Sequence, residues 1–191
     1  MKYTIITIGK THSGKTTFGK DIKQRFSDII FFDADILGDF FKIHYPWMYN
    51  QELLPLNEEG MTAGKSLEIV TRLEILEKAS QTKYPLLISA SHASSETRKT
   101  MLELAHTYNR NLILVFFNYS EEFLLERIKN SGRDRVSLTE SKTYENLLLN
   151  KQKQIFETPT ADEADIFFEI TDNESLECTK QQILNLISSS L

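Results

Sequence analysis

Eight residues near the N-terminus, Gly9-Lys10-Thr11-His12-Ser13-Gly14-Lys15-Thr16, narrow the possible folds more than anything else in the chain. They match G-x-x-x-x-G-K-[ST] in full and follow directly on the apolar run Tyr3–Ile8. Two glycines at that spacing let the backbone bend until successive N–H groups converge on one anion. The helix that follows adds its positive N-terminal end. In such a loop Lys15 is expected to reach the β- and γ-phosphates and the Thr16 hydroxyl to ligate Mg²⁺. The expected nucleotide contacts are Gly9, Thr11, His12, Ser13, Gly14, Lys15, Thr16 and Thr17. An echo at Gly64-Lys65-Ser66 fails, because Glu59 stands where the leading glycine should be.

The rest of the chain supplies the frame this loop requires. Short apolar runs recur at Tyr3–Ile8, Ile29–Phe32, Leu86–Ile88, Leu112–Phe117 and Ile166–Ile170. Two of them, Ile29–Phe32 and Leu112–Phe117, do not alternate, which marks strands buried on both faces of a parallel sheet. Between the runs lie segments of helical spacing, clearest at Thr16–Phe26, Leu67–Ala79, Glu96–Tyr108, Glu121–Lys129, Tyr144–Phe156 and Leu176–Ile187. Strands alternating with helices imply βαβ units and a doubly wound α/β sheet. No repeat or Pro/Gly/Ser linker divides the 191 residues, so a single domain over 1–191 is expected. Residues 39–64 break the rhythm, with Phe40, Phe41, Tyr45, Trp47 and Tyr49 among Pro46, Pro55 and Gly60; they read as an insertion on the substrate side of the sheet edge.

Composition excludes several classes. The net charge of −5 gives no overall basic footprint for a dedicated nucleic-acid binder. The single Cys178 rules out an intramolecular disulfide framework and a cysteine zinc cluster. No apolar run approaches the roughly 18 residues of a membrane span, and MKYTIITIGK is too quickly interrupted for a secretory signal. A reducing, cytoplasmic location without membrane association is the expectation.

Carboxylates for chemistry follow the second strand, as Asp33-Ala34-Asp35. Ligands of open α/β sheets bind outside the carboxyl ends of the strands, so both acids should face the loop crevice. Asp35 is the candidate base for an incoming hydroxyl and Asp33 the metal or structural partner, although one of them could simply cap the helix beginning near Ile36. The third strand ends in Ser89-Ala90-Ser91-His92, with a serine where a Walker B acid is usual. His92 reads either as a substrate contact or as an incidental loop residue, and Arg98 either as a contact to an anionic substrate or as a surface arginine. After the fourth strand come Arg127, Lys129, Arg133 and Arg135 around Gly132. Segment 127–140 suits a lid over the triphosphate, with Arg127 and Arg133 stabilising transferred charge. A solvated face pairing with Glu121, Glu122 and Glu126 is the plainer alternative.

These motifs together carry a resemblance. GKTHSGKT after strand one, FFDAD after strand two and ER-x₅-R-x-R after strand four look like the small P-loop kinases. Within that AAA-type ATPase/polynucleotide 5′-kinase-like group the pattern is nearest to the polynucleotide 5′-kinase domain, gluconate kinase and the zeta-toxin-like and chloramphenicol phosphotransferases. Phe156-Glu157-Thr158-Pro159 with Glu163 resembles an F-E-x-P-x-x-x-E signature of the polynucleotide-kinase branch, and the spacing from Ser89 to Arg98 follows that branch too. The resemblance implies a three-layer sandwich around a five-stranded parallel sheet of order 2-3-1-4-5, with helices on both faces. It also implies ATP, Mg²⁺ and phosphoryl transfer to a hydroxyl. By the same carry-over Lys15 and Thr16 hold the triphosphate and metal, Asp35 is the base, and Arg127 and Arg133 form the lid. Ser89 departs from the branch's Asp.

Two functions of different class fit. One is an ATP-dependent kinase whose acceptor, a small molecule or a short 5′-hydroxyl nucleic acid, lies against residues 39–64. There Trp47, Tyr45 and Tyr49 would stack on a ring or else merely pack. The other is a nucleotide-binding regulatory ATPase without a dedicated acceptor, which Ser89 favours and Asp35 disfavours. No guanine-reading N-K-x-D string occurs.

Overall fold

The computed structural model describes residues 1–132 and 143–189. Five strands, β1 (Lys2–Gly9), β2 (Ile30–Asp33), β3 (Leu86–Ser89), β4 (Arg110–Phe117) and β5 (Ile166–Ile170), form one sheet in the order β2-β3-β1-β4-β5. Every pairing is parallel. This is the doubly wound sheet and strand order expected. The central strands β1, β3 and β4 are buried almost throughout. The edge strands are only half covered, so Ile30, Phe31 and Phe32 do not have the two-sided burial that their apolar run suggested.

Alternation along the strands feeds two cores. Ile5, Leu87, Ile113 and Val115 face helix α1 (Lys15–Arg25) and the C-terminal helix Asn173–Ser188, against Phe18, Ile22, Ile183 and Ile187. Ile6, Ile88, Leu114 and Phe116 face α3 (Ala63–Ser80) and α4 (Ser95–Thr107), against Leu76, Ala79, Met101 and Ala105. Helices therefore cover both faces, in three layers.

Between β2 and β3 the chain forms α2 (Ala34–His44), a 3₁₀ turn Pro46–Tyr49, further turns and α3. Segment 39–64 thus does not begin at a structural boundary, because residues 39–44 complete α2. Asp33 starts that helix by accepting the Asp35 N–H at 3.0 Å, a cap that the sequence had offered as one of two uses. After β4 comes α5 (Glu121–Asn130); beyond residue 142 a helical run consists of Tyr144–Asn146, a π turn Leu147–Gln152 and Lys153–Ile155. Most of the expected lid segment 127–140, with Arg133 and Arg135, lies outside the described residues.

Candidate functional site

Sheet register assembles the site. Asp33 pairs with Ser89 and Ser89 with Thr7, so three polar residues stand in a row at the carboxyl ends of β2, β3 and β1. The loop Gly9–Lys15 rises from β1 beside them. Gly9 is required by close approach, since a Cβ there would stand 2.8 Å from Ser13 Oγ and 2.9 Å from Phe117 Cβ. Gly14 is required by conformation, with φ of 101° as it enters α1. No side chain caps α1 and its first turn holds no acid, which leaves its N–H groups and positive end to an anion.

Lys15 Nζ donates to the Lys10 carbonyl at 2.8 Å and to Ser13 Oγ at 3.3 Å. Burial lowers its pKa to about 8, opposed by the charges of Asp35 and Asp33. The Thr16 hydroxyl donates to Asp33 Oδ2 at 2.8 Å and stands 3.5 Å from Ser89 Oγ. Asp33 is buried, with one oxygen on the α2 cap and the other on Thr16. Asp35 begins α2 on the crevice side. Although its surface is solvent-accessible, loss of hydration among its neighbours pushes its carboxyl upward. Lys15 and Arg72 pull it down, and Asp33 and Asp39 raise it further. Lys15, Thr16, Asp33 and Asp35, singled out in the sequence, are therefore brought together.

Arg127 lies over the same loop. Its Nη1 donates to the carbonyls of His12 at 3.2 Å and Ser13 at 3.3 Å, and its guanidinium covers the rings of Tyr119 and Phe123 at 5.7 and 5.1 Å. An open cleft of about 430 Å³ beside it is lined by His12, Phe123, Glu126, Arg127, Asn130 and Ser131. His12 packs edge-on against Tyr144, with Nδ1 3.0 Å from Thr11 Oγ1 and Nε2 3.3 Å from Ser131 Oγ. Thr17 is exposed on the first turn of α1.

Arg98 differs from its expected place at an anionic substrate. Its side chain is fully buried. Nε and Nη2 form a fork on Glu163, and Nη1 donates to the carbonyls of His92, Ala93 and Glu157. Glu157 in turn accepts the Ser95 N–H at 2.7 Å, at the start of α4. The F-E-x-P-x-x-x-E stretch and Arg98 are thus a latch between α4 and the approach to β5, with every arginine nitrogen committed. Trp47 stands half-exposed on the 3₁₀ turn, without a ring contact among the described residues.

Sequence reasoning missed a second polar cluster, on α3. The charge of Arg72 lowers the pKa of both Asp35 and His92. Its Nη2 donates to buried Glu68 at 2.8 Å, and Lys65 Nζ meets the same oxygen at 2.9 Å. Arg72 Nε and the Tyr49 hydroxyl are buried and make no hydrogen bond among the described residues. The i, i+4 pair Glu68 and Arg72 was readable, but an ordinary surface pair looks the same. His92 is buried with φ of 42°, Nδ1 3.0 Å from the Thr7 carbonyl; burial lowers its pKa to about 4 and keeps it neutral at pH 7.

A phosphate-binding loop on a parallel 2-3-1-4-5 sheet, with two acids after β2, defines the fold of the small P-loop kinases. No protein-family model matches the chain, and no curated protein matches it by sequence. Solved structures do match. A gluconokinase from Sinorhizobium meliloti 1021 is 19% identical with a TM-score of 0.60, over 99% of this chain and 98% of that one. The APS kinase of Mycobacterium tuberculosis, in complex with AMPPNP and APS, is 14% identical with a TM-score of 0.58, over 98% of each chain. A shikimate kinase from Bacteroides thetaiotaomicron is 18% identical with a TM-score of 0.55, over 97% of this chain and 98% of that one. Among the described residues no helix is long and apolar enough to cross a membrane.

Proposed function

We propose that the chain is an ATP-dependent kinase that transfers the γ-phosphoryl group to a hydroxyl of a small molecule or a 5′-hydroxyl nucleic-acid end. The observation that carries this reading is the cluster at the carboxyl ends of β1 and β2, where Thr16 beside Lys15 bonds Asp33 at 2.8 Å and Asp35 follows on α2. The acceptor oxygen attacks the γ-phosphorus while the bond to the β–γ bridging oxygen breaks, and ADP leaves. Asp35 takes the hydroxyl proton; its raised carboxyl is a better proton acceptor than an ordinary aspartate. Lys15 and Arg127 neutralise charge on the phosphates, so positioning and electrostatics provide most of the rate.

Thr16 Oγ1 and Asp33 Oδ2, hard oxygen donors 2.8 Å apart, fit Mg²⁺ and would hold it, directly or through water. When bound, Mg²⁺ supplies further neutralisation of phosphate charge. Arg72, whose Nε makes no hydrogen bond among the described residues, supports an acceptor that carries a negative group, and the kinases named for gluconate, shikimate and APS favour a small one. Trp47 on the neighbouring turn would cover it. One observation favours the regulatory ATPase reading, namely Ser89 in place of an acid beside Thr16.

Transfer of label from γ-labelled ATP with Mg²⁺ to a panel of sugar acids, nucleosides, nucleoside monophosphates and 5′-hydroxyl oligonucleotides tests the kinase. A labelled product that requires one acceptor and is lost in Asp35→Asn is the expected result. Phosphate release indifferent to every acceptor would favour the regulatory reading instead.

A further inference from the structure

Gln152 reaches the phosphate-binding loop from far along the chain, its Oε1 accepting the Thr11 N–H at 2.8 Å. The Lys10 carbonyl belongs to the same peptide unit and accepts from Lys15 Nζ at 2.8 Å. It also accepts the Ser13 N–H at 3.4 Å. A trans peptide is planar, so its C=O and N–H point in opposite directions and cannot turn separately. The orientation that presents oxygen to Lys15 is the one that presents N–H to Gln152. Turning this unit would release both Lys15 and Ser13.

The place of Gln152 suits this task. It closes the π turn Leu147–Gln152, whose Leu148 is fully buried, and π turns recur at functional sites. Next to it, Lys10 Nζ pairs with Glu121 at 2.8 Å, and the other Glu121 oxygen faces Lys153 Nζ at 3.8 Å. The loop tip is therefore held by α5 and by the helical run after residue 142 together.

We propose that Gln152 is a positioning residue: by fixing the Lys10–Thr11 peptide it sets where the Lys15 ammonium stands to receive phosphate. This deepens the nucleotide-binding part of the reading above and rests on it. Gln152 acts through Lys15, so its loss is felt only where Lys15 is present.

The test is binding of ADP with Mg²⁺ by calorimetry at neutral pH, which needs no knowledge of the acceptor. Gln152→Met keeps the length of the side chain and removes its acceptor; Gln152→Glu keeps an acceptor oxygen at the same reach. Gln152→Met is expected to weaken ADP roughly fivefold, the effect of one lost neutral hydrogen bond. Gln152→Glu should recover most of the affinity, and Gln152→Met should have no further effect in Lys15→Met. Gln152→Ser carries the same expectation as Gln152→Met should methionine disturb the turn. Unchanged affinity in Gln152→Met, equal impairment in Gln152→Glu, or effects that add to Lys15→Met would each overturn the inference alone. Wild-type affinity in Lys15→Met would overturn the phosphate site and the inference with it.

Discussion

Around Lys15 the crevice is lined by backbone and short polar groups already bonded to one another, whereas on the α3 side Arg72 Nε and the Tyr49 hydroxyl are buried without a hydrogen bond among the described residues. The two sides also differ in their apolar surface. β1 and α1 bury Ile5, Ile8, Phe18 and Ile22, but α2, the turn after it and α3 leave Ile36, Phe40, Trp47 and Val70 exposed. Phosphate can be gripped by a loop and a helix end whose shape two glycines fix in advance. An acceptor of particular shape must be read by side chains. The first side is preorganised; on the proposed reading the second is completed by the acceptor.

The largest expected effect comes from the preorganised side. Lys15→Ala should lower phosphoryl transfer by roughly a thousandfold through the loss of transition-state charge stabilisation. Its KM for the acceptor should stay unchanged in steady-state kinetics, and an equal rise there would erase the distinction between the two sides.

Arg98→Ala belongs to neither side if the latch is structural. It takes the ion-pair partner from Glu163 and one donor from each of the His92, Ala93 and Glu157 carbonyls, and should lower stability by about 3 kcal/mol in denaturant unfolding. Activity per folded molecule should persist; a selective rise in acceptor KM at wild-type stability would return Arg98 to the substrate.

On the α3 side, Arg72→Gln should raise KM for an anionic acceptor about tenfold, as expected for one lost charge-assisted hydrogen bond. Its KM for ATP should not move. Matching changes in both constants would show that α3 serves the nucleotide as well.

The smallest effect is the pH dependence of nucleotide binding. Lys15, with a pKa of about 8, must be charged to hold phosphate. Above that pH the free protein has lost the proton and must regain it on binding, so affinity should fall by at most about tenfold per pH unit. A flat profile, like that expected of Lys15→Met, would remove Lys15 from the site.

How much of this could be read from the chain depends on the kind of signal. The loop was legible because glycine spacing, lysine and threonine act on their own backbone within a few residues. The strands were legible because their burial leaves apolar runs, and Asp33 and Asp35 because they directly follow one. Arg98 misled, because its partner Glu163 lies far along the chain and only folding reveals the fork between them. Glu163 was visible only as part of a resemblance, without a role.

The sequence by itself determined the phosphate-binding loop, the alternation of strands and helices and the two acids at the crevice. These follow from local backbone geometry and from the period of apolar residues. Only the tertiary structure decided that Arg98 is buried, that the charge of Arg72 acts on Asp35 and that Gln152 holds the loop. Each of these depends on where packed helices aim side chains from distant parts of the chain. Helix packing is set by the summed burial of many apolar groups, so no single residue pair announces it in advance.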